Sequence, residues 1–95
     1  MTLVRYAPAA LRDLEQVGDF IGRDNPGRAR TFVAELRAAC RSLGDTSLRY
    51  PLMPGSKDMR RMPVGNYLVF YKVSAGTIDI LRVLHSARDI EDFSG

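Results

Sequence analysis

The apolar positions of this chain change their period about half-way along. In the first half, Leu11, Leu14, Val17 and Ile21 recur three, three and four residues apart, with Arg12, Asp13, Glu15, Gln16 and Asp19 between them. That pattern predicts one amphipathic helix over about 8–23, and Pro8 suits its first turn, where a missing N–H costs nothing. Arg23-Asp24-Asn25-Pro26-Gly27 breaks the pattern. Asn25 is a good N-cap and Pro26 a good first residue for a second helix. That helix shows Ala29, Phe32, Val33, Leu36, Ala39, Cys40 and Leu43 on one face and Arg30, Glu35, Arg37 and Arg41 on the other. Gly44 is expected to close it with a left-handed cap. The short connection predicts an antiparallel helical hairpin.

The second half reads as strands. Residues 45–57 carry two Pro and one Gly and read as a loop, held to the body by Tyr50, Leu52 and Met53. Met59–Val64 is a short strand that Pro63 must end or confine to an edge. Gly65-Asn66 marks a tight turn, and Tyr67–Val73 follows as the strongest strand, dense in aromatic and β-branched residues. Ser74-Ala75-Gly76 turns the chain into Thr77–Leu84, completing an antiparallel meander. Thr2–Tyr6 reads as a first strand. The tail from His85 to Gly95 has room for one short helical turn capped by Ser86 or Asp89. The fold class is therefore α+β in the order β-α-α-β-β-β, a single domain over residues 1–95, with the helical hairpin packed on one face of a small curved antiparallel sheet.

Leu68 and Phe70 point to one side of the strongest strand, and Tyr67, Val69, Tyr71 and Val73 to the other. A strand apolar on both faces is usually covered on both. The hairpin covers one. Either a partner chain covers the second, or the 45–57 loop and the tail do.

Composition narrows the class. The chain has 95 residues, 45% hydrophobic and 26% charged, which fits one globular domain with one modest core. A single cysteine excludes an internal disulfide framework and fits a reducing compartment. The apolar stretches fall short of the roughly 18–20 residues of a membrane span, and the N-terminus lacks a signal-peptide layout, so a cytoplasmic protein without membrane contact is expected. The net charge is +3, and the bases are 12 Arg against 2 Lys. Arginine makes planar two-point contacts with carboxylate and phosphate. That choice reflects either an Arg-rich genome or a surface that meets an acidic partner or a nucleic acid.

Candidate chemistry is sparse. His85 is the only histidine and Cys40 sits on an apolar stripe, so no metal-ligand spacing exists. No Gly-rich phosphate loop or nucleophile elbow occurs, and no cofactor is expected. Lys57, Arg60, Arg61, Arg82 and Arg88 stand where an antiparallel meander can gather them into one cationic patch. Arg60 and Arg61 are adjacent in a strand and must face opposite sides. Arg82, inside an apolar strand, needs a partner such as Asp58, Asp79 or Asp89, and is either a structural ion-pair member or a contact residue.

Three stretches resemble the ParE/RelE toxin superfamily, the ParE branch above all. They are the opening YAPAALRDLEQVGDFI, Arg60-Arg61 leading into VGNYLVFYKV, and ILRVLHSARD near the end. No single motif is diagnostic; order, spacing and length together are, over nearly the full chain. The resemblance implies a toxin of a type II toxin–antitoxin system that is neutralised in a hetero-oligomer by a cognate antitoxin, ParD-like or another small type. ParE-like members inhibit DNA gyrase by binding; RelE-like members cleave mRNA on the ribosome; a third possibility is a non-toxic member acting only with its antitoxin. Arg60, Arg61, Tyr67, Tyr71, Arg82, His85 and Arg88 are the candidate target- or antitoxin-binding residues. His85, Arg82 and Arg61 are the candidates for catalysis. Phe93 stands where RelE-like chains often carry Tyr, and Tyr67 where they carry Arg, which leaves the nuclease set incomplete.

Overall fold

The computed structural model describes residues 2–89. Six elements follow in the expected order: β1 (Leu3–Tyr6), α1 (Pro8–Gly22), α2 (Pro26–Thr46), β2 (Met59–Val64), β3 (Tyr67–Ser74) and β4 (Thr77–His85). Pro8 and Pro26 open the two helices, and the Asn25 side chain accepts the Arg28 N–H as an N-cap should. Gly18 faces Val33 and Gly22 faces Ala29 across the helical hairpin, so the two helices approach where the side chains are smallest.

The meander β2-β3-β4 is antiparallel as the turns predict, and β1 lies parallel beside β4, so the four-strand sheet is mixed, in the order β1-β4-β3-β2. Two helices fill the crossover that a parallel partner needs. β2 is an edge strand, which tolerates Pro63. Gly65 takes a positive φ of 57° at the first position of the two-residue turn between β2 and β3, and a Cβ there would meet the Phe32 ring at 3.2 Å. Glycine suits both demands.

Two expectations change. Gly44 does not cap α2, which runs on to Thr46; the glycine has no positive φ and lies inside the helix. The last turn instead returns side-chain bonds to the backbone, with Thr46 donating to the Ser42 carbonyl. The second sheet face is also less open than the pattern of β3 implies. Tyr67, Val69 and Tyr71 pack into the core with Ala10, Leu14, Phe32 and Leu36 of the helices, while Phe70 and Leu84, on the opposite face, are themselves buried within this chain. The middle of that face is closed without a partner.

A β-bulge places these side chains. Tyr71 pairs with Ile80 and Phe70 with Arg82, so Leu81 is an extra residue in β4. Ile78 and Ile80 face the helices below the bulge. Above it, Val83 and His85 do so, in register with Val69 and Tyr67. Of the loop residues, Tyr50 packs on the core and Met53 donates its N–H to the Met59 carbonyl; Leu52 bridges to Arg60 but stays exposed.

Cys40 is fully buried, as its place on the stripe implies. Burial pushes its thiol up, and pushes the neighbouring Tyr6 phenol up to about 12. An unfolded phenol ionises near pH 10. Stability owed to Tyr6 is therefore intact below about pH 10 and lost as pH rises toward about 12, because only the unfolded chain sheds the proton there. Urea unfolding measured across that range should show stability falling with pH, and Tyr6→Phe should flatten the fall. An unchanged slope in the variant would show that Tyr6 is not the group responsible.

Candidate functional site

β1 is shorter than β4. It ends at Tyr6, opposite Ile80, and leaves residues 82–85 of β4 without a neighbouring strand on that side. Asp13 of α1 fills the gap. Its carboxylate is buried and accepts three hydrogen bonds: Arg82 Nε at 2.8 Å, Arg82 Nη2 at 3.0 Å and the Val83 N–H at 2.9 Å. The last of these would otherwise go to a fifth strand. The bidentate pair raises the Arg82 guanidinium further above its ordinary value, through the hydrogen bond to Asp13 first. Arg82 thus has a structural ion-pair partner in Asp13, which was not among the expected three, and of those three Asp89 adds a weaker electrostatic attraction. Asp58 pairs with Lys72, Asp79 with Arg5, and Asp89 takes the His85 N–H.

Two residues on, the Asp89 carboxylate accepts that His85 N–H at 2.9 Å. His85 Nδ1 accepts the N–H groups of Ala87 and Arg88 at 3.1 and 3.2 Å. A short turn follows the last strand over 86–89, closed by the Asp89 N–H on the His85 carbonyl, and the side chain that caps its first amides is His85 rather than the expected Ser86 or Asp89. The turn carries Arg88 back over the structure: its Nη2 donates to the Tyr67 hydroxyl at 3.1 Å, and its guanidinium lies 3.9 Å from the centre of the Phe20 ring. Arg23 approaches the same ring at 6.0 Å. Phe20, 46% exposed, is flanked by two guanidinium groups.

These residues wall a cleft of about 520 Å³ between the end of α1 and the end of β4. A smaller groove of about 310 Å³ shares Phe20 and Tyr67 with it and continues to Ile21, Phe32, Gly65 and His85. Tyr67 stands at the junction, stacked edge-on with His85 at 5.1 Å and tilted against Phe32 at 5.5 Å. An aromatic floor under guanidinium groups suits a partner that presents apolar groups beside carboxylates.

Of the residues picked from the sequence, the fold brings Tyr67, Arg82, His85 and Arg88 together here. It does not bring Arg60, Arg61 or Tyr71. Arg60 and Arg61 do face opposite sides. Arg60 donates to the Tyr50 carbonyl at 2.6 Å and helps hold the loop. Tyr71 is buried, donates to the Ser47 carbonyl at 2.8 Å, and burial pushes its phenol up. Arg61 shares a rung with Phe70 and Arg82 on the other sheet face; its backbone N–H donates to the Pro51 carbonyl at 3.3 Å, while its guanidinium has no hydrogen-bond partner among the described residues. The single cationic patch is therefore two separate groups. Phe93 lies outside the described residues. Sequence reading missed Phe20, Arg23 and Asp13. Phe20 could have been found as a large aromatic lying off the apolar stripe. Asp13 stands three residues after Ala10 and four before Val17, on the buried side of the helix.

Two helices over a mixed four-strand sheet, with this strand order, define the RelE/ParE-like fold. A chain of the chromosomal ParDE TA system from P. aeruginosa superposes on 90% of this chain and 96% of its own with a TM-score of 0.78, at 18% identity. The RelB-RelE antitoxin–toxin complex from Methanococcus jannaschii matches with a TM-score of 0.64 at 25% identity, over 96% of this chain and 99% of that one. A family model described as the ParE toxin of type II toxin-antitoxin system, parDE, matches residues 4–90, and the chain belongs to that family of toxins. It is 32% identical over 89 residues to Toxin RelE2 of Caulobacter vibrioides, covering 93% of this chain and 99% of that one. It is 31% identical over 88 residues to the putative toxin Y4kP of Sinorhizobium fredii, covering 87% and 86%. No helix among the described residues is long and apolar enough to cross a membrane.

Proposed function

We propose that this toxin arrests growth in the cytoplasm by binding a protein target, DNA gyrase, through the Phe20–Tyr67–Arg88 cleft, and that a cognate antitoxin neutralises it in a hetero-oligomer. The observation that carries the binding reading is the state of His85. Its Nδ1 lone pair is taken by two backbone N–H groups, which leaves the proton on Nε2 and makes the ring a staple for the turn. Cleavage of RNA by its own 2′-OH needs a proton acceptor beside the attacking oxygen. The phenols of Tyr67 and Tyr71 are likewise committed, to Arg88 and to the Ser47 carbonyl. The ParDE-type family match supports gyrase as the target, and the antitoxin complexes among the solved relatives support the partner.

Purified gyrase assayed with this protein is expected to lose supercoiling activity in proportion to toxin added. Full activity at a large molar excess of folded toxin removes the gyrase assignment. Two observations favour the mRNA-cleaving alternative: the name of the relative Toxin RelE2, and the Arg61 guanidinium, which has no hydrogen-bond partner among the described residues on the other sheet face. That reading requires translated message to be cut, and His85→Ala to stop the cutting. Growth arrest with message intact excludes it.

A further inference from the structure

One imidazole holds the turn that positions Arg88. His85 Nδ1 accepts the N–H groups of Ala87 and Arg88 at 3.1 and 3.2 Å, and a ring nitrogen that accepts carries no proton. Two further bonds tie the same turn to the same residue. The Asp89 N–H donates to the His85 carbonyl at 3.0 Å, and the His85 N–H to the Asp89 carboxylate at 2.9 Å. Closed in this way, the turn sets the Arg88 guanidinium on the Tyr67 hydroxyl and over the Phe20 ring.

Histidine is the side chain whose charge ordinarily changes between about pH 5 and 8. A second proton on this ring must go to Nδ1, and three donors would then converge there. Rotating the ring by half a turn puts Cδ2 where Nδ1 stood and gives the two amides no acceptor either. Ala87 and Arg88 are exposed, so water can take their N–H groups once the ring lets go. Charged groups face the ring from several elements. In the turn, the Asp89 carboxylate favours a charged imidazole and Arg88 opposes it. From β3 the Tyr67 phenol lies edge-on at 5.1 Å. From α2, Arg28 lines the same groove and opposes the charge, offset by its own bond to Glu35 at 2.6 Å. Arg82 and Asp13, on the adjoining stretch of β4 and on α1, neutralise each other. Phe20 and Ile21 of α1 and Gly65 and Asn66 of the β2–β3 turn bring no charge to the groove.

We propose that His85 is an acid-operated latch on the Phe20–Tyr67–Arg88 cleft. With one proton, on Nε2, the ring caps the turn and keeps Arg88 in the cleft. With two, it drops the Ala87 and Arg88 amides, turns its new N–H to the Asp89 carboxylate and frees Arg88 from Phe20 and Tyr67. That release of Arg88 weakens toxin action rests on the reading of the cleft given above; the latch itself stands on the turn alone.

The test is an NMR titration of the isotope-labelled full chain from about pH 8 to pH 5. The ring nitrogen signals should place the single proton on Nε2 at the upper end and show both nitrogens protonated at the lower. The Ala87 and Arg88 amides should shift with the same midpoint as the ring and lose protection from hydrogen exchange, while the β3–β4 ladder amides stay protected. In His85→Asn, whose side-chain oxygen can accept the same amides and does not titrate, the transition should be absent. Half-inhibition of gyrase, referred at each pH to gyrase alone, should need more toxin in acid. That rise should approach the roughly thirtyfold loss expected of Arg88→Ala, and His85→Asn should not show it. If His85→Asn does not fold, the ring and amide titrations of the unaltered protein still decide. A neutral ring with its proton on Nδ1, a ring that stays neutral until the chain unfolds, amides that do not follow the ring, or the same transition in His85→Asn would each overturn the proposal. Amides that follow the ring while gyrase is unaffected at every pH remove the gyrase assignment and leave the latch standing.

Discussion

Asp13→Ala is expected to cost about 2–3 kcal/mol of stability and lower Tm by roughly 10–20 °C for a domain of this size. Stranding one member of a buried ion pair can cost about 3–5 kcal/mol. Here the Arg82 side chain is 36% exposed and rehydrates once the carboxylate is gone, so the upper range is not reached. What persists is the Val83 N–H, left without an acceptor on the inner side of α1, together with the gap beneath the helix. Asp13→Asn keeps the shape and one acceptor and should lose less. Urea or thermal unfolding of the two variants measures both. A loss under about 0.5 kcal/mol for the alanine variant, the ordinary size of a surface substitution, would show that the plug closing β4 contributes nothing.

Arg88→Ala should behave in the opposite way, with a large effect on activity and a small one on the fold. Removing an arginine anchor from the centre of an interface typically costs about 2 kcal/mol or more, a loss of roughly thirtyfold in affinity. Arg88 rests on an exposed Phe20 and on one phenol, so its removal uncovers little core. The toxin concentration needed for half-inhibition of the target should rise by about that factor, with Tm shifted by no more than a few degrees. Phe20→Ala should follow Arg88→Ala in activity. Arg60→Gln, which loosens the 45–57 loop at the far end of the sheet, should leave activity unchanged while lowering stability. If Arg88→Ala retains full potency, the cleft is not the contact surface.

Residue order reveals most of the fold and less of the site. Both helices announce themselves through their period and their Asn and Pro signals, and the meander through its turns. Gly44 misleads because a glycine is tolerated inside a helix whose neighbours hold it; the cap signal is local, and the packing of α2 on the sheet overrides it. Leu11 belongs to the predicted stripe yet is 42% exposed, while Ala10 and Asp13 are buried, because the stripe is rotated by the neighbour that α1 packs against.

The bulge at Leu81 has the widest consequences. Strict alternation along TIDILRVLH groups Ile78, Ile80, Arg82 and Leu84 on one face. The extra residue exchanges the faces above it, sending Val83 and His85 toward the helices beside Tyr67. Tyr67, His85 and Arg88 meet for that reason, and Asp13 can reach the Val83 N–H. A bulge leaves no reliable mark in composition, since it records how two strands of different reach share one register. The choice of Asp13 as the partner of Arg82 is hidden in the same way: the two stand 69 positions apart and meet because β1 stops short.

The chain by itself determined the element order, the helical hairpin, the antiparallel meander and the toxin family, because period, caps and turns are local and survive in any one-dimensional reading. Only the folded molecule decided that the arginines form two groups, that His85 is a staple, and that Asp13 fills the gap beside β4. Each of those depends on backbone groups far apart in the chain competing for the same few partners.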